Sequence, residues 1–486
     1  MRADARTASA SVRRTWLAGK YDAAQTADEN RRHWANADSL AANAAGSPSV
    51  RQILRNRARY EVANNSYAQG ILQTLANDLI STGPRLQMLT ASAEGNRRIE
   101  LAWQKWADAI HLAAKLRTAK QAKVRDGEAF ALLVTNPRLI GPAKLDLRLI
   151  EADQVASPQP RWDKPNETDG IHFDEWGNPA VYLVLKQHPG DTAVSYQAGA
   201  DEIPARRMLH WFRVDRPGQY RGLPELMPAL PLFAELRRYM RAVVAAAETA
   251  ADFAAVLQTQ APQFEDEDSD APKVLDAIEL EPRLATVLPD GYQLGQIKAE
   301  QPATTFSEFV RALLTEIARC LNVPYNVAAG DSSKHNYSSG RLDHQTYHKA
   351  LSVERHDCQV VILERLLDAW LREYLAELSG ISPADVDLAD YPHEWRWDGF
   401  EHVDPTKEEN ARLTRLAAGM TSYPSEFAKD GADWEAEFAK QARALGVTVP
   451  QYQAILRQKL LGTGGAATGD NQLADQEVED EPARDQ

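Results

Sequence analysis

Cysteine is nearly absent from this chain of 486 residues: Cys320 and Cys358 are the only two, so no disulfide framework supports the fold, and the composition suits a reducing compartment. Long apolar runs are missing as well. No stretch of eighteen apolar residues occurs, and the first thirty residues, which include Arg2, Arg6, Arg13 and Arg14, contain no apolar signal core, so neither a membrane span nor an export signal is expected. There is no GxxxxGK[ST] loop, no GxSxG elbow and no CxxC pair, which removes the usual signatures of ATP hydrolysis, of a hydrolase nucleophile and of thiol redox chemistry. Positive charge is in deficit: 55 Lys and Arg against 69 Asp and Glu leave a net charge of −14, which argues against a protein that coats nucleic acid by releasing counterions.

What is present is unevenly spread. Residues 1–150 hold 23 Lys and Arg against 13 Asp and Glu, leaving 32 against 56 for the remainder. A basic portion thus precedes a strongly acidic one, as suits a subunit that shows opposite charges to different partners, although solvated faces produce the same pattern. With 44% hydrophobic residues the chain can bury the cores of two or three domains.

The patterning is mainly helical with an α+β portion. Residues 1–50 are rich in Ala, Asn and Ser and read as an arm. From Val50 to Ser81 apolar residues recur at helical spacing until Ser81-Thr82-Gly83-Pro84 ends the run, and a second helical stretch covers about 95–125. The period then changes. Ala129–Val134, Leu145–Ile150, Pro179–Lys186 and Met208–Arg213 read as short strands, with Asp174–Pro179 as a turn. An Ala-rich helix is expected over Leu226–Leu257. An acidic, Pro-bracketed run at 262–272 and short strands at 274–298 form a small insertion, and a further helix opens on the capping-box pattern Thr305-Phe306-Ser307-Glu308. Asn322-Val323-Pro324 stops that helix. A polar loop, Gly330–Gly340, leads into a helical pattern from Arg341 to Leu378 that would run about 55 Å. Residues 405–460 are again helical, and the tail after Gly462 is acidic and expected to be disordered.

Chemistry-bearing patterns are sparse. His344 and His348 share a helix face at i, i+4, the spacing of a zinc metallopeptidase, but Gln345 stands where that mechanism needs a glutamate base. They read as surface or interface histidines, with a helical zinc hydrolase as the rival. Cys320 and Cys358 read as packed side chains. The pairs Trp103/Trp106 and Trp395/Trp397 read as core or interface residues rather than base-stacking platforms.

Four segments in order resemble signatures of the lambda-type portal family of tailed bacteriophages. They are Arg57–Gly70 followed by Ser81-Thr82-Gly83; Arg216-Pro217-Gly218-Gln219-Tyr220-Arg221-Gly222-Leu223-Pro224; Asn336-Tyr337-Ser338-Ser339-Gly340-Arg341; and Val403-Asp404-Pro405-Thr406-Lys407-Glu408. Residues 1–50 and the tail match no signature.

The resemblance implies a portal fold with wing, stem, clip and crown regions in a dodecameric ring. It places the wing at 51–224, the stem at 225–258 and 303–323, the clip at 259–302 and the tunnel loop at 324–340. The wing's spine helix and return would occupy 341–400 and the crown 401–461. It also implies a role at the capsid's portal vertex, with double-stranded DNA passing through the ring. Expected partners are the terminase large subunit, a head-completion or adaptor protein, and the major capsid and scaffolding proteins, with assembly in the bacterial cytoplasm. Lys334, His335 and Asn336 are then expected to approach DNA, and Glu265, Asp266, Glu267, Asp268 and Asp270 to meet the terminase or a connector. Arg216, Gly218, Gln219, Arg221, Gly222, Asn336, Tyr337, Ser338, Arg341, Asp404 and Pro405 carry the family's structural motifs. No enzymatic activity, cofactor or metal is expected. A soluble adaptor or scaffold is the second rival.

Overall fold

The computed structural model describes residues 28, 31–158, 166–191, 199–252, 256–259, 292–295, 306–333, 337–400 and 405–463. The first long helical run is two helices, α1 (Pro48–Asn64) and α2 (Ser66–Ile80). The break is at Asn65, whose extended backbone leaves its side-chain oxygen free to accept from the Tyr67 and Ala68 amides. That N-cap gives the second helix its own start. The next stretch is likewise divided: α3 (Ala93–Ala109) ends before His111, which takes a left-handed backbone (φ 55°) and starts α4 (Leu112–Asp126) at a new angle.

Strand β1 (Arg85–Met88) precedes α3. Strands β2 (Glu128–Thr135), β3 (Leu145–Ile150), β4 (Glu167–Thr168), β5 (Ile171–Phe173), β6 (Pro179–Leu185), β7 (Ala200–Pro204) and β8 (Met208–Phe212) follow α4. They make two antiparallel sheets of order β3-β2-β8 and β4-β5-β6-β7. Strand β2 is buried on both faces. Ala129, Ala131 and Leu133 join the main core, while Phe130 and Leu132 join a smaller one with Ile150, Ile171, Tyr182 and Met208. Side chains alternate along a strand, so one continuous apolar run fills both cores.

The Ala-rich helix α5 spans Leu230–Asp252, and strands β9 (Val256–Thr259) and β10 (Tyr292–Gly295) pair antiparallel beyond it. The last residues of the expected helix are therefore strand. Helix α6 (Phe306–Cys320) returns, with Tyr239 of α5 stacked near Phe306 and Phe309. Thr305, the expected cap, lies outside the described residues. Asn322 carries a positive φ of 57° at the stop, a conformation that asparagine tolerates well.

A short helix α7 (Tyr325–Ala329) follows Pro324, and α8 runs from Tyr337 to Cys358. Residues 325–329 and 337–340, read from the sequence as loop, are thus helical. Helix α8 continues through a π-helical turn (Gln359–Leu363) into α9 (Glu364–Ser379). Strand β11 (His393–Arg396) pairs with β1. Trp103 meets Trp106, Trp370 and Trp395 at ring separations of 4.7, 5.2 and 5.4 Å, an aromatic cluster that locks α3, α9 and β11 together. Helices α10 (Pro405–Ala417), α11 (Tyr423–Lys429), α12 (Trp434–Ala444) and α13 (Val449–Thr463) complete the described chain. Among the described residues no helix is long and apolar enough to cross a membrane.

Candidate functional site

Segment 216–222 forms a charged core. Arg221, 3% exposed, lays its guanidinium against Glu128, with Nη2 to Oε1 at 2.6 Å and Nε to Oε2 at 2.9 Å. The same guanidinium donates to the carbonyls of Val155 and Asp169. Glu128 is fully buried and also accepts from the Gly222 amide at 3.1 Å. Burial alone would raise its pKa, but Arg221 and the His210 hydrogen bond outweigh that and hold the carboxyl well below its ordinary range. His210 is sandwiched between Phe130 and Phe212, at 4.2 and 4.4 Å, and burial pushes its pKa down, so the neutral ring donates to Glu128.

Arg51, Arg55 and Arg59 arrive from successive turns of α1. Arg51 pairs with Asp169, Arg55 with Asp153, and Arg59 with Asp126 and Asp153. Burial, with Arg221 close by, lowers Arg51 to about 10. Glycine is required at 222: a Cβ there would stand 2.1 Å from the Gly127 carbonyl oxygen. Gln219 accepts from the Asp215 and Arg216 amides and donates to the Arg221 carbonyl, which closes the turn, and Gly218 supplies its positive φ of 75°. Arg216 is exposed and donates to the Leu40 carbonyl, while Asn43 bonds both Gly218 and Tyr220. The last residues before α1 are therefore tied to this motif.

A second cluster joins the base of α5 and α6 to α8. The Lys123 ammonium lies 2.7 Å from Glu225 and 2.7 Å from Glu354, and Lys120 contacts Glu354 directly. Burial would raise both carboxyls, yet the two lysines keep each below its usual value. Cys320, at the end of α6, donates its thiol to the Glu225 carbonyl. On the adjoining turn of α8, Arg355 donates to the Leu79 and Asp78 carbonyls and lies over the rings of Trp397 and Phe400. Tyr347 donates to Asp78 at 2.9 Å. Thr82, in the Ser81-Thr82-Gly83 signature, gives both its amide and its hydroxyl to Asp398. The Tyr347 and Arg355 contacts hold the middle and end of α8 against the end of α2.

His344 and His348 do lie on one face of α8, 5.9 Å apart between ring centroids. Each is otherwise engaged: His344 Nε2 is 3.1 Å from the Asn326 amide nitrogen, and His348 stacks on Phe400 at 3.8 Å. Among the described residues the one grouping with metal-ligand spacing is Glu151, Asp153 and His188, and Arg59 already pairs with both of its carboxylates. Burial raises the thiol pKa of both Cys320 and Cys358, so neither is poised as a thiolate nucleophile.

Lys334, His335, Asn336, Glu265, Asp266, Glu267, Asp268, Asp270 and Asp404 lie outside the described residues. Tyr337 and Ser338 are in the first turn of α8, Arg341 is exposed on the second, and Pro405 opens α10. Glu128, Glu225, Lys120, Lys123 and Glu354 were missed by sequence reasoning. The clearest signal was Glu128, a lone carboxylate at the head of the apolar strand Ala129–Val134.

The sequence profile of the family described as phage portal protein, lambda family, matches residues 28–355. A probable portal protein of Halomonas phage phiHAP-1 is 25% identical over 445 residues, 83% of each chain. Portal protein B of Escherichia phage lambda is 22% identical over 508 residues, 93% of each chain. Among solved structures, a chain in the virion of a native gene transfer agent particle aligns over 78% of this chain and 93% of that one, with a TM-score of 0.41 and 14% identity.

Proposed function

This chain belongs to the lambda family of phage portal proteins, and from that premise we propose that copies of it close into a dodecameric ring at the portal vertex of the virion. Double-stranded DNA enters through the ring during packaging and leaves through it on ejection. The observation that carries the reading is the reach of the family match, whose residues 28–355 take in α5, α6, the insertion between them, the polar turn and nearly all of α8.

In this reading α5 and α6 are the stem and 259–302 the clip. Lys334, His335 and Asn336 stand at the narrow point of the channel. Glu265, Asp266, Glu267, Asp268 and Asp270 form a landing surface for the terminase large subunit or a head-completion protein. The outer α/β layers meet the major capsid and scaffolding proteins during assembly in the host cytoplasm. The protein's part is structural; ATP hydrolysis lies with the motor that docks on it.

A net charge of −14 suits a conduit. A wall that bound phosphates tightly would stall the duplex, whereas a mostly acidic wall repels it, and a few donors give weak local contacts. The exposed face of α6, with Glu308, Thr315, Glu316 and Arg319, has that mixed character.

Negative-stain microscopy of the purified chain tests the reading. Rings with a central hole are expected, whereas compact single subunits at every concentration favour the adaptor alternative. Neutralising residues 265–270 should leave rings intact and impair packaging; normal packaging in that variant would remove the clip assignment. Stoichiometric zinc that is lost on substituting His344 or His348 would instead favour the hydrolase.

A further inference from the structure

The chain that leaves α7 is held by side chains that neither the Arg221–Glu128 pair nor the Lys123 cluster uses. Helix α7 packs against α2 and α6 and is capped by Gly330, whose left-handed backbone (φ 65°) suits a residue without a side chain. The next residue, Asp331, is caught twice. Its Oδ1 accepts from the Ser333 amide at 2.9 Å, and its carboxylate accepts a hydrogen bond from the Tyr325 hydroxyl. The Tyr325 ring in turn lies under the Arg311 guanidinium, 4.7 Å from the ring centroid.

Arg311 belongs to α6 and Tyr325 to α7, so one continuous relay of contacts runs from the helix before the turn to the turn itself. Helix α7 is also tied to α8, through the buried Asn326 and its amide nitrogen 3.1 Å from His344 Nε2. Arg311, Tyr325 and Asp331 are all half-buried, at the rim of the fold rather than inside it. A hydroxyl that donates to a carboxylate makes a directional, charge-assisted bond, and a cation over a ring holds that ring's plane. Contacts of this kind at a rim add little to the core; what they remove is the freedom of the chain to swing after Gly330.

We propose that Arg311, Tyr325 and Asp331 are positioning residues for DNA passage: they fix the direction in which the chain leaves Asp331, and so where Lys334, His335 and Asn336 are presented to the duplex. The inference rests on the reading of 324–340 as the tunnel loop. That reading names the residues that meet DNA, whereas these three act through them and touch no nucleotide. In a mostly acidic conduit the placing of a few donors decides whether they engage, because attraction to a phosphate is screened over roughly 10 Å at ordinary ionic strength.

The test uses the full-length chain in DNA-filled particles, with Lys334→p-azidophenylalanine as a photo-crosslinker that reports contact of that position with DNA. In that background Tyr325→Phe keeps the ring under Arg311 and removes only the hydroxyl, and Asp331→Ala removes both bonds at the turn. Each should lower the crosslinking yield by about fivefold, the change in population that loss of one hydrogen bond gives, with ring yield in negative stain and thermal midpoint unchanged. Arg311→Lys keeps a cation over the ring and should retain most of the yield; Arg311→Ala should lose it. Absence of any crosslink when residues 311, 325 and 331 are wild type would sink the tunnel reading and this inference with it. Strong crosslinking that persists undiminished in Tyr325→Phe and Asp331→Ala would overturn the positioning role and leave the tunnel reading standing. A fall in yield that comes with lost rings or a lower midpoint would make the three residues supports of the fold, which also overturns the proposal.

Discussion

Arg221 and Glu128, 93 residues apart, form a two-point ion pair at 2.6 and 2.9 Å in a site where neither side chain is more than 1% exposed. The pair brings the segment leading into α5 against the first residue of β2, and three α1 arginines with their three aspartate partners, Asp126, Asp153 and Asp169, lie around it. Burying two charges costs more than burying two apolar groups, but removing one partner leaves the other uncompensated. The segment 216–222 is therefore a lock between the sheet that contains β2 and the approach to α5, and its value is in geometry.

Arg221→Ala or Glu128→Gln should each cost about 3–5 kcal/mol of stability. Arg221→Lys should also be costly, because an ammonium cannot reproduce the planar fork. Urea unfolding followed by circular dichroism checks this; a loss under 1 kcal/mol for both would mean that water enters and solvates the pair.

Stability should fall on acidification in two windows. His210 has a folded pKa below its ordinary 6.5, so the unfolded chain binds the proton more readily, and stability is lost as pH drops below about 6.5. Glu128 has a folded pKa below its ordinary 4.5, so its contribution is present above that value and is lost as pH falls through the range beneath it. Thermal midpoints recorded between pH 8 and 4 should show the upper step in wild type and its absence in His210→Gln.

Glycine positions divide sharply. Gly222→Ala places a methyl on the Gly127 carbonyl and should prevent folding, since backbone blocks it. Gly70→Ala meets nothing within 4 Å in the middle of α2 and should stabilise by roughly 0.5–1 kcal/mol. Soluble yield and thermal midpoint of the two variants provide the check.

The Lys120, Lys123, Glu225 and Glu354 cluster balances two cations against two anions. Glu354→Gln should destabilise by about 3 kcal/mol or more. Adding Lys120→Met should recover part of that loss, since the pair of substitutions restores neutrality. Double-mutant analysis of the unfolding free energies measures the coupling; strict additivity would show that the four groups do not act as a unit.

Helix α6, the β2, β3, β6 and β8 strands, and the Ala-rich α5 were legible because periodicity and punctuation are local properties of the chain. The break at Asn65 was also written locally, in a residue suited to capping, but the apolar spacing on either side concealed it. The start of α8 was misplaced because Tyr337–Gly340 is polar and Gly-containing, and propensity gives no warning that the helix extends back through it.

What the sequence by itself determined was the long helices, four strands of the α+β portion, the scarcity of cysteine, the sign and asymmetry of charge, and the order of the family motifs. Tertiary structure alone decided which charges are buried together. Arg51, Glu128, Asp169 and Arg221 are scattered over 170 residues and look like ordinary surface residues in the sequence. They become a lock because one helix, one strand and two turns bring them into a buried space, where every charge must find its partner in the protein.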